Sequence, residues 1–169
     1  MQKQTSTVTK GLVISLIMIA LALAMYFTGM DVNSPLRWVS YCVYIVGVVL
    51  SIMQYGKEID HNATFGNYFA HGFKISAAVT VIMIIYIIVF VFLFPDFKEK
   101  AMDEARKAIN KRENMSEDQR MQALEMTKNL FMVFLVGATL IYNLIIGAIA
   151  SLIGAAMTKK NPRPLEDLN

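Results

Sequence analysis

Four long apolar blocks, Gly11–Met30, Trp38–Tyr55, Gly72–Phe94 and Phe131–Met157, constrain this chain more than any other feature of it. Each is near or above the roughly 18 residues that a helix needs to cross a bilayer core about 30 Å thick. In hydrocarbon, every backbone N–H and C=O must find its partner within the segment, which leaves the α-helix as the form for such a block. The blocks hold one charged residue, Lys74, close enough to an end for its stem to carry the ammonium to water. Only 17% of the whole chain is charged, against roughly 25% in an ordinary soluble domain. The pattern predicts an all-α integral membrane protein, a single membrane domain over residues 1–169 with four transmembrane helices.

The first block invites comparison with a secretory leader, since Lys3 and Lys10 precede it and "ALALA" at 20–24 supplies small residues. A cut there would fall inside an apolar run already longer than a leader's usual core of about 7–15 residues. It reads as an uncleaved first span. Cys42 is the sole cysteine, so no disulfide forms within the chain. The net charge of +3 comes from bases interleaved with acids, which gives no case for nucleic acid.

The connections are short except for one. In "DVNSPLRW" Ser34 is placed to cap the second span and Pro35 to open it, with Trp38 at the interface. The insert at 95–129 predicts an extramembrane helical hairpin between spans three and four. Pro95 should interrupt the first arm where it leaves the membrane. Phe97, Ala101, Ala105 and Ala108 then share a helical stripe, with Asp96–Lys100 and Asp103–Lys107 as acid-before-base pairs. "ENMS" breaks the pattern, and Ser116 with Gln119 forms a capping box, Glu117 and Asp118 suiting the positive helix start. Met121, Leu124, Lys128 and Phe131 carry the second arm into span four without a breaker. Such a hairpin is either a solvated, self-paired element or a docking surface.

Charge bias orients the chain weakly. With the amino terminus inside, the inner segments carry 7 bases against 4 acids, and the first turn and hairpin 9 against 9. Lys159 and Lys160, directly after span four, favour both termini in the cytoplasm.

Residues 60–74, "DHNATFGNYFAHGFK", hold both histidines of the chain. As a helix, 64–75 puts Phe65, Phe69 and Phe73 on one edge and Asn67, His71 and Lys74 on another. That is an interfacial amphipathic helix leading into span three, a solvated membrane doorstep or a contact for a lipid headgroup or a partner. Gly66 and Gly72 permit close approach of a backbone or headgroup. No metal site is expected, because Asp60, Glu58 and the two histidines share no ligand spacing. "NAT" at 62–64 matches a glycosylation acceptor but falls on the side assigned to the cytoplasm.

Span four carries Gly137, Gly147 and Gly154 with Ser151, small side chains that let helices approach closely in lipid. Asn143, near its middle, must find a hydrogen-bond partner. Asn143, Gly147, Ser151 and Gly154 are therefore the candidate packing or partner contacts, with a polar lining for a substrate path as the other reading. No Asp, Glu, Arg or Lys lies deep in a span, so a charged pathway lacks its usual residues. No serine elbow, phosphate loop or zinc-helix motif occurs, and the methionines suit flexible packing. No catalytic residue and no cofactor is expected.

The chain resembles a family of small four-span bacterial membrane proteins known as domain of unknown function 4199, abundant in the Bacteroidota. The likeness rests on "ATFGNYFAHGFK", with Phe65-Gly66 and Phe69-xx-Gly72, on "FVFLFPDF" reaching Pro95, on the charged insert and on "IIGAIASLIGAAMTKK". It covers essentially the full chain, through short apolar motifs. The resemblance implies four spans in a bacterial inner membrane and brings no activity and no catalytic residues. It also implies an association with membrane glycosyltransferases acting on polyprenyl-phosphate sugars, hence an accessory role. Two functions are thus expected from different classes. One is a non-enzymatic accessory or scaffold subunit, contacting membrane lipid and a membrane-protein partner or further copies of itself. The other is a small oligomeric transporter or lipid-linked-sugar flippase. A sensor whose hairpin reads the periplasm is a third. Outward-facing small residues favour assembly; polar residues converging on one place favour transport.

Overall fold

In the computed structural model, which describes residues 6–29, 36–112 and 114–161, the chain forms six α-helices and, among the described residues, no strand. They are α1 Thr7–Phe27, α2 Leu36–Glu58, α3 Phe65–Leu93, α4 Pro95–Asn110, α5 Glu117–Asn129 and α6 Phe131–Met157. Of these α1, α2, α3 and α6 are long and apolar enough to cross a membrane. The all-α, four-span membrane class read from the sequence holds. Ser34 and Pro35 lie outside the described residues.

The span bounds differ from the apolar blocks in an instructive way. α6 coincides with its block, but α1 begins at Thr7, α2 runs on to Glu58 and α3 begins at Phe65. The amphipathic stretch before span three is therefore not a separate interfacial helix. It is the first turns of α3, whose 29 residues reach about 43 Å, beyond a hydrocarbon core of about 30 Å.

Contacts divide the chain into two units, Met1–Met83 with Ile141–Asn169, and Ile84–Leu140. The first holds α1, α2, α3 up to Met83 and α6 from Ile141. Its core is built on Tyr44, Val48, Ile52, Tyr68, Ile75 and Val79, all fully buried. One local device recurs in all four of its helices: a glycine followed four residues later by Ser or Thr. The pairs are Gly11/Ser15, Gly47/Ser51, Gly72/Ser76, Gly147/Ser151 and Gly154/Thr158. In each, the hydroxyl donates to the carbonyl of its own glycine, at 2.6–3.0 Å. The glycine admits a neighbour where a Cβ would collide: Ala78 at Gly11, Ile14 at Gly47, Ile52 at Gly72 and Gly154, Ser76 at Gly147. Close dispersion contact is what holds helices together when lipid is the solvent, and the hydroxyls satisfy themselves without spacing the helices apart.

The second unit runs from the end of α3 to the start of α6. Pro95 does interrupt the chain: α3 stops at Leu93, Phe94 takes non-helical dihedrals (φ −125°, ψ 76°), and Pro95 opens α4. Phe90, nearly buried, meets the rings of Tyr86, Phe94 and Phe97 there. α4 and α5 pack on each other as a helical pair. The capping box forms as expected, Gln119 N–H donating to Ser116 Oγ (3.3 Å) and Ser116 N–H to Gln119 Oε1 (3.0 Å).

The stripes are shifted from those expected. Phe97, Ala101 and Ala105 are half-buried, but Ile109 completes the stripe and Ala108 is exposed. In α5 the inward positions are Arg120, Ala123, Leu124 and Thr127, while Met121 and Lys128 are exposed. Leu130 (φ −101°, ψ 11°) separates α5 from α6, and buried Phe131 follows Thr127 at helical spacing. Among the described residues the hairpin's ion pair is Lys107–Glu104 at 3.7 Å, with both side chains more than two-thirds exposed, rather than the pairs four apart. In water, exposed partners three or four apart compete on nearly equal terms.

Candidate functional site

Extending α1 and α2 beyond their apolar blocks brings two charges inside the first unit. Lys10, in the opening turn of α1, meets Glu58, the last residue of α2, at 3.4 Å, with side chains only 5% and 8% exposed. The Lys10 ammonium also donates to the Ser51 carbonyl at 3.5 Å. Both distances are long beside the ~2.7–2.9 Å of a well-formed charged hydrogen bond. The second carboxylate oxygen, Glu58 Oε2, is buried with no hydrogen-bond partner among the described residues.

The start of α3 completes the cluster. His71 stacks on Tyr55 of α2, ring centroids 3.8 Å apart and planes 7° from parallel, and Tyr68 meets the same ring edge-on at 6.0 Å. His71 Nε2 and the Tyr68 hydroxyl are, like Glu58 Oε2, buried without a hydrogen-bond partner among the described residues. Two opposite charges, an imidazole and a phenol thus gather where α1 starts, α2 ends and α3 starts. Buried polar atoms are nearly always hydrogen-bonded, so three unpartnered ones at the end of α2 and the start of α3 mark candidate positions for waters or a small polar ligand.

His61 belongs to the frame of this end rather than to the cluster. Asp60 and His61 both adopt left-handed dihedrals (φ 53° and 60°). The His61 N–H donates to the Gly56 carbonyl at 2.7 Å, and its carbonyl accepts from Asn161 N–H at 2.9 Å. Its Nδ1 lies 3.1 Å from the Lys159 carbonyl; a carbonyl only accepts, so Nδ1 carries the proton in this contact. The histidine ties the α2–α3 turn to the residues following α6.

The residues singled out from the sequence separate accordingly. Asn67 and Lys74 are exposed, whereas His71 turns inward onto Tyr55, so the three form no common face toward a headgroup. Gly66 is open, but Gly72 is filled against Ile52 and Ser151. Gly147, Ser151 and Gly154 are buried against α2 and α3 of the same chain. Asn143 is half-buried, and its backbone carbonyl accepts the Tyr44 hydroxyl at 3.1 Å. Gly137 has open space around it. Among the described residues no three of His, Cys, Asp and Glu come together as metal ligands.

Sequence reasoning missed Lys10 and Glu58 because each sits just outside an apolar block and reads there as a loop charge. The signal was available in the spacing of glycine and hydroxyl residues. Gly11, Ser15 and Ser51 are buried and Gly47 half-buried, and their helices carry Lys10 and Glu58 in with them.

A family model described as a protein of unknown function, DUF4199, matches residues 9–160. No curated protein and no solved structure matches the chain.

Proposed function

The chain belongs to the DUF4199 family, and from that premise we propose that it is a non-enzymatic accessory subunit of a bacterial inner-membrane complex. In this reading both termini face the cytoplasm, and the α4–α5 hairpin on the other side docks a membrane-protein partner. The observation that carries it is apolar exposure on a charged element: Met121 and Met126 of α5 are 65% and 59% exposed. Methionine is flexible and polarizable, suited to a contact surface that adapts to its partner. The small-residue face of α6 is occupied within the chain, which supports placing the contact on the hairpin. The family resemblance suggests the partner's class, a glycosyltransferase acting on polyprenyl-phosphate sugars. Purification of the tagged chain from native membranes in mild detergent tests the reading. Wild type should carry a membrane protein with it, and Met121→Lys with Met126→Lys should lose that protein at equal membrane abundance. Equal recovery from both would overturn the hairpin as the contact.

The unpartnered atoms of Glu58, Tyr68 and His71 favour a second reading, an oligomeric transporter or lipid-linked-sugar flippase. Against it, the first unit beyond this cluster is filled by Tyr44, Val48 and Ile52. Transport of a substrate by purified protein in vesicles, absent in Glu58→Gln, would reverse the preference.

A further inference from the structure

We propose that the groove between α3 and α6 beside the hairpin is a site for one anionic phospholipid. Its acyl chain lies against Ile88, Met132, Val136 and Gly137, and its phosphate meets Lys98. The proposal uses residues other than Met121 and Met126, so it and the docking of the hairpin can fail separately.

The groove lies wholly within the second unit. Ile88 of α3 and Met132, Val133, Val136 and Gly137 of α6 line an open space of about 530 Å³, with no polar side chain on its walls. Ile88 stands six residues before Phe94 and Gly137 six after Phe131, so the groove runs about 9 Å from the hairpin into the spans. Both helices are long and apolar enough to cross a membrane, and at that depth the solvent is hydrocarbon. Gly137 gives the groove its notch: a Cβ built there would meet no protein atom within 4 Å. Walls of this kind take any lipid chain.

The hairpin supplies the discrimination. α3 ends at Leu93, Pro95 opens α4, and Lys98 follows in its first turn. The half-buried Lys98 reaches α6, its ammonium 5.6 Å from the centre of the Phe131 ring. Phe131 immediately precedes Met132, so the cation stands where the groove opens toward the hairpin. Among the described residues this ammonium has no carboxylate in ion-pair reach and no hydrogen-bond acceptor; the hairpin's ion pair is Lys107–Glu104. Asp96 and Glu99, close to it in α4, are exposed. An ammonium carries three N–H donors, and a ring face attracts the charge without accepting them all. At the boundary between hydrocarbon and water, a lipid phosphate is the acceptor in supply. An apolar partner helix would cover the walls and leave the cation without an anion, whereas a phospholipid meets both. A zwitterionic headgroup brings its own cation, so the site favours a lipid of net negative charge.

The test is native mass spectrometry of the full chain released from mixed micelles. These hold equal amounts of phosphatidylglycerol and phosphatidylcholine with identical acyl chains. A lysine near a membrane surface gives about a fivefold preference for an anionic lipid, so wild type should retain phosphatidylglycerol by about that ratio. Lys98→Gln should bring the ratio near one with lipid still bound, and Lys98→Arg should keep it. Lys111→Gln, which removes the same charge from an exposed position at the far end of α4, should leave the ratio unchanged. Gly137→Leu fills the notch without meeting protein and should lose most of the bound lipid of either kind. Equal retention of the two lipids by wild type would overturn the proposal. So would a preference that survives in Lys98→Gln, or lipid held as well by Gly137→Leu as by wild type. Should Gly137→Leu not be recovered from membranes, the ratio in Lys98→Gln decides.

Discussion

At the scale of single residues, the chain concentrates its polar risk at one end of the first unit. Removing one member of a buried ion pair strands the other, at a cost of about 3–5 kcal/mol, while replacing both by apolar residues is often neutral. Lys10→Met should therefore lower thermal stability in detergent sharply, and Lys10→Met with Glu58→Met should recover most of the loss. Equal stability of the single and double variants would mean that the pair is not coupled. His61 lends itself to a different comparison. Its left-handed dihedrals (φ 60°) suit glycine and strain alanine by about 1–2 kcal/mol. Its ring bond to Lys159 is lost either way. His61→Ala should be the less stable variant, with His61→Gly between it and wild type, and neither should unfold the chain. The same ranking by calorimetry at matched detergent is the check; a more stable alanine variant would contradict the reading of the turn.

At the scale of elements, the spans and the hairpin were legible because periodicity and hydropathy act locally. Pro95, Ser116 and Gln119 did what their backbone chemistry dictates wherever they occur. The inward face of α5 was only partly legible, since Arg120 and Thr127, not Met121 and Lys128, turn inward beside Leu124. The inward turn of His71 was not: its spacing with Asn67 and Lys74 suits an interface, and stacking on Tyr55 from another helix overrides it. The small face of α6 was recognised, but whether it meets its own chain or another is a tertiary matter. With Gly147 against Ser76 and Tyr44, Gly147→Leu should destabilise the bundle itself, by about 1–3 kcal/mol as for other overpacked interiors. The variant should still insert, its span having become more apolar. A Gly147→Leu chain as heat-stable as wild type would remove this contact from the fold. At the hairpin, Ser116→Ala should cost about 1 kcal/mol through the lost cap. Hydrogen exchange should then quicken in the first turn of α5, with no change at α1 or α2; an unaltered α5 would show that the cap adds nothing.

At the scale of the whole molecule, the proposed orientation has four crossings that return the chain to the side from which it started. The orientation proposed here, termini in the cytoplasm, predicts that a cysteine at Asn161 resists an impermeant thiol reagent in intact spheroplasts. One at Asn114 should react, both in a Cys42→Ser background; the reverse pattern would invert the orientation. The glycine–hydroxyl pairs bear, finally, on how such a chain is made. Because Ser15, Ser51, Ser76, Ser151 and Thr158 each bond within their own helix, none of these hydroxyls obliges a span to wait for a neighbour. Each span can leave the insertion machinery singly with those hydroxyls already satisfied, and tertiary assembly can follow in the bilayer. Lys10 is the exception: its carboxylate partner is synthesised 48 residues later. Until α2 emerges, the lysine stays at the water boundary, and the first turn of α1 is drawn into place only when the second span arrives.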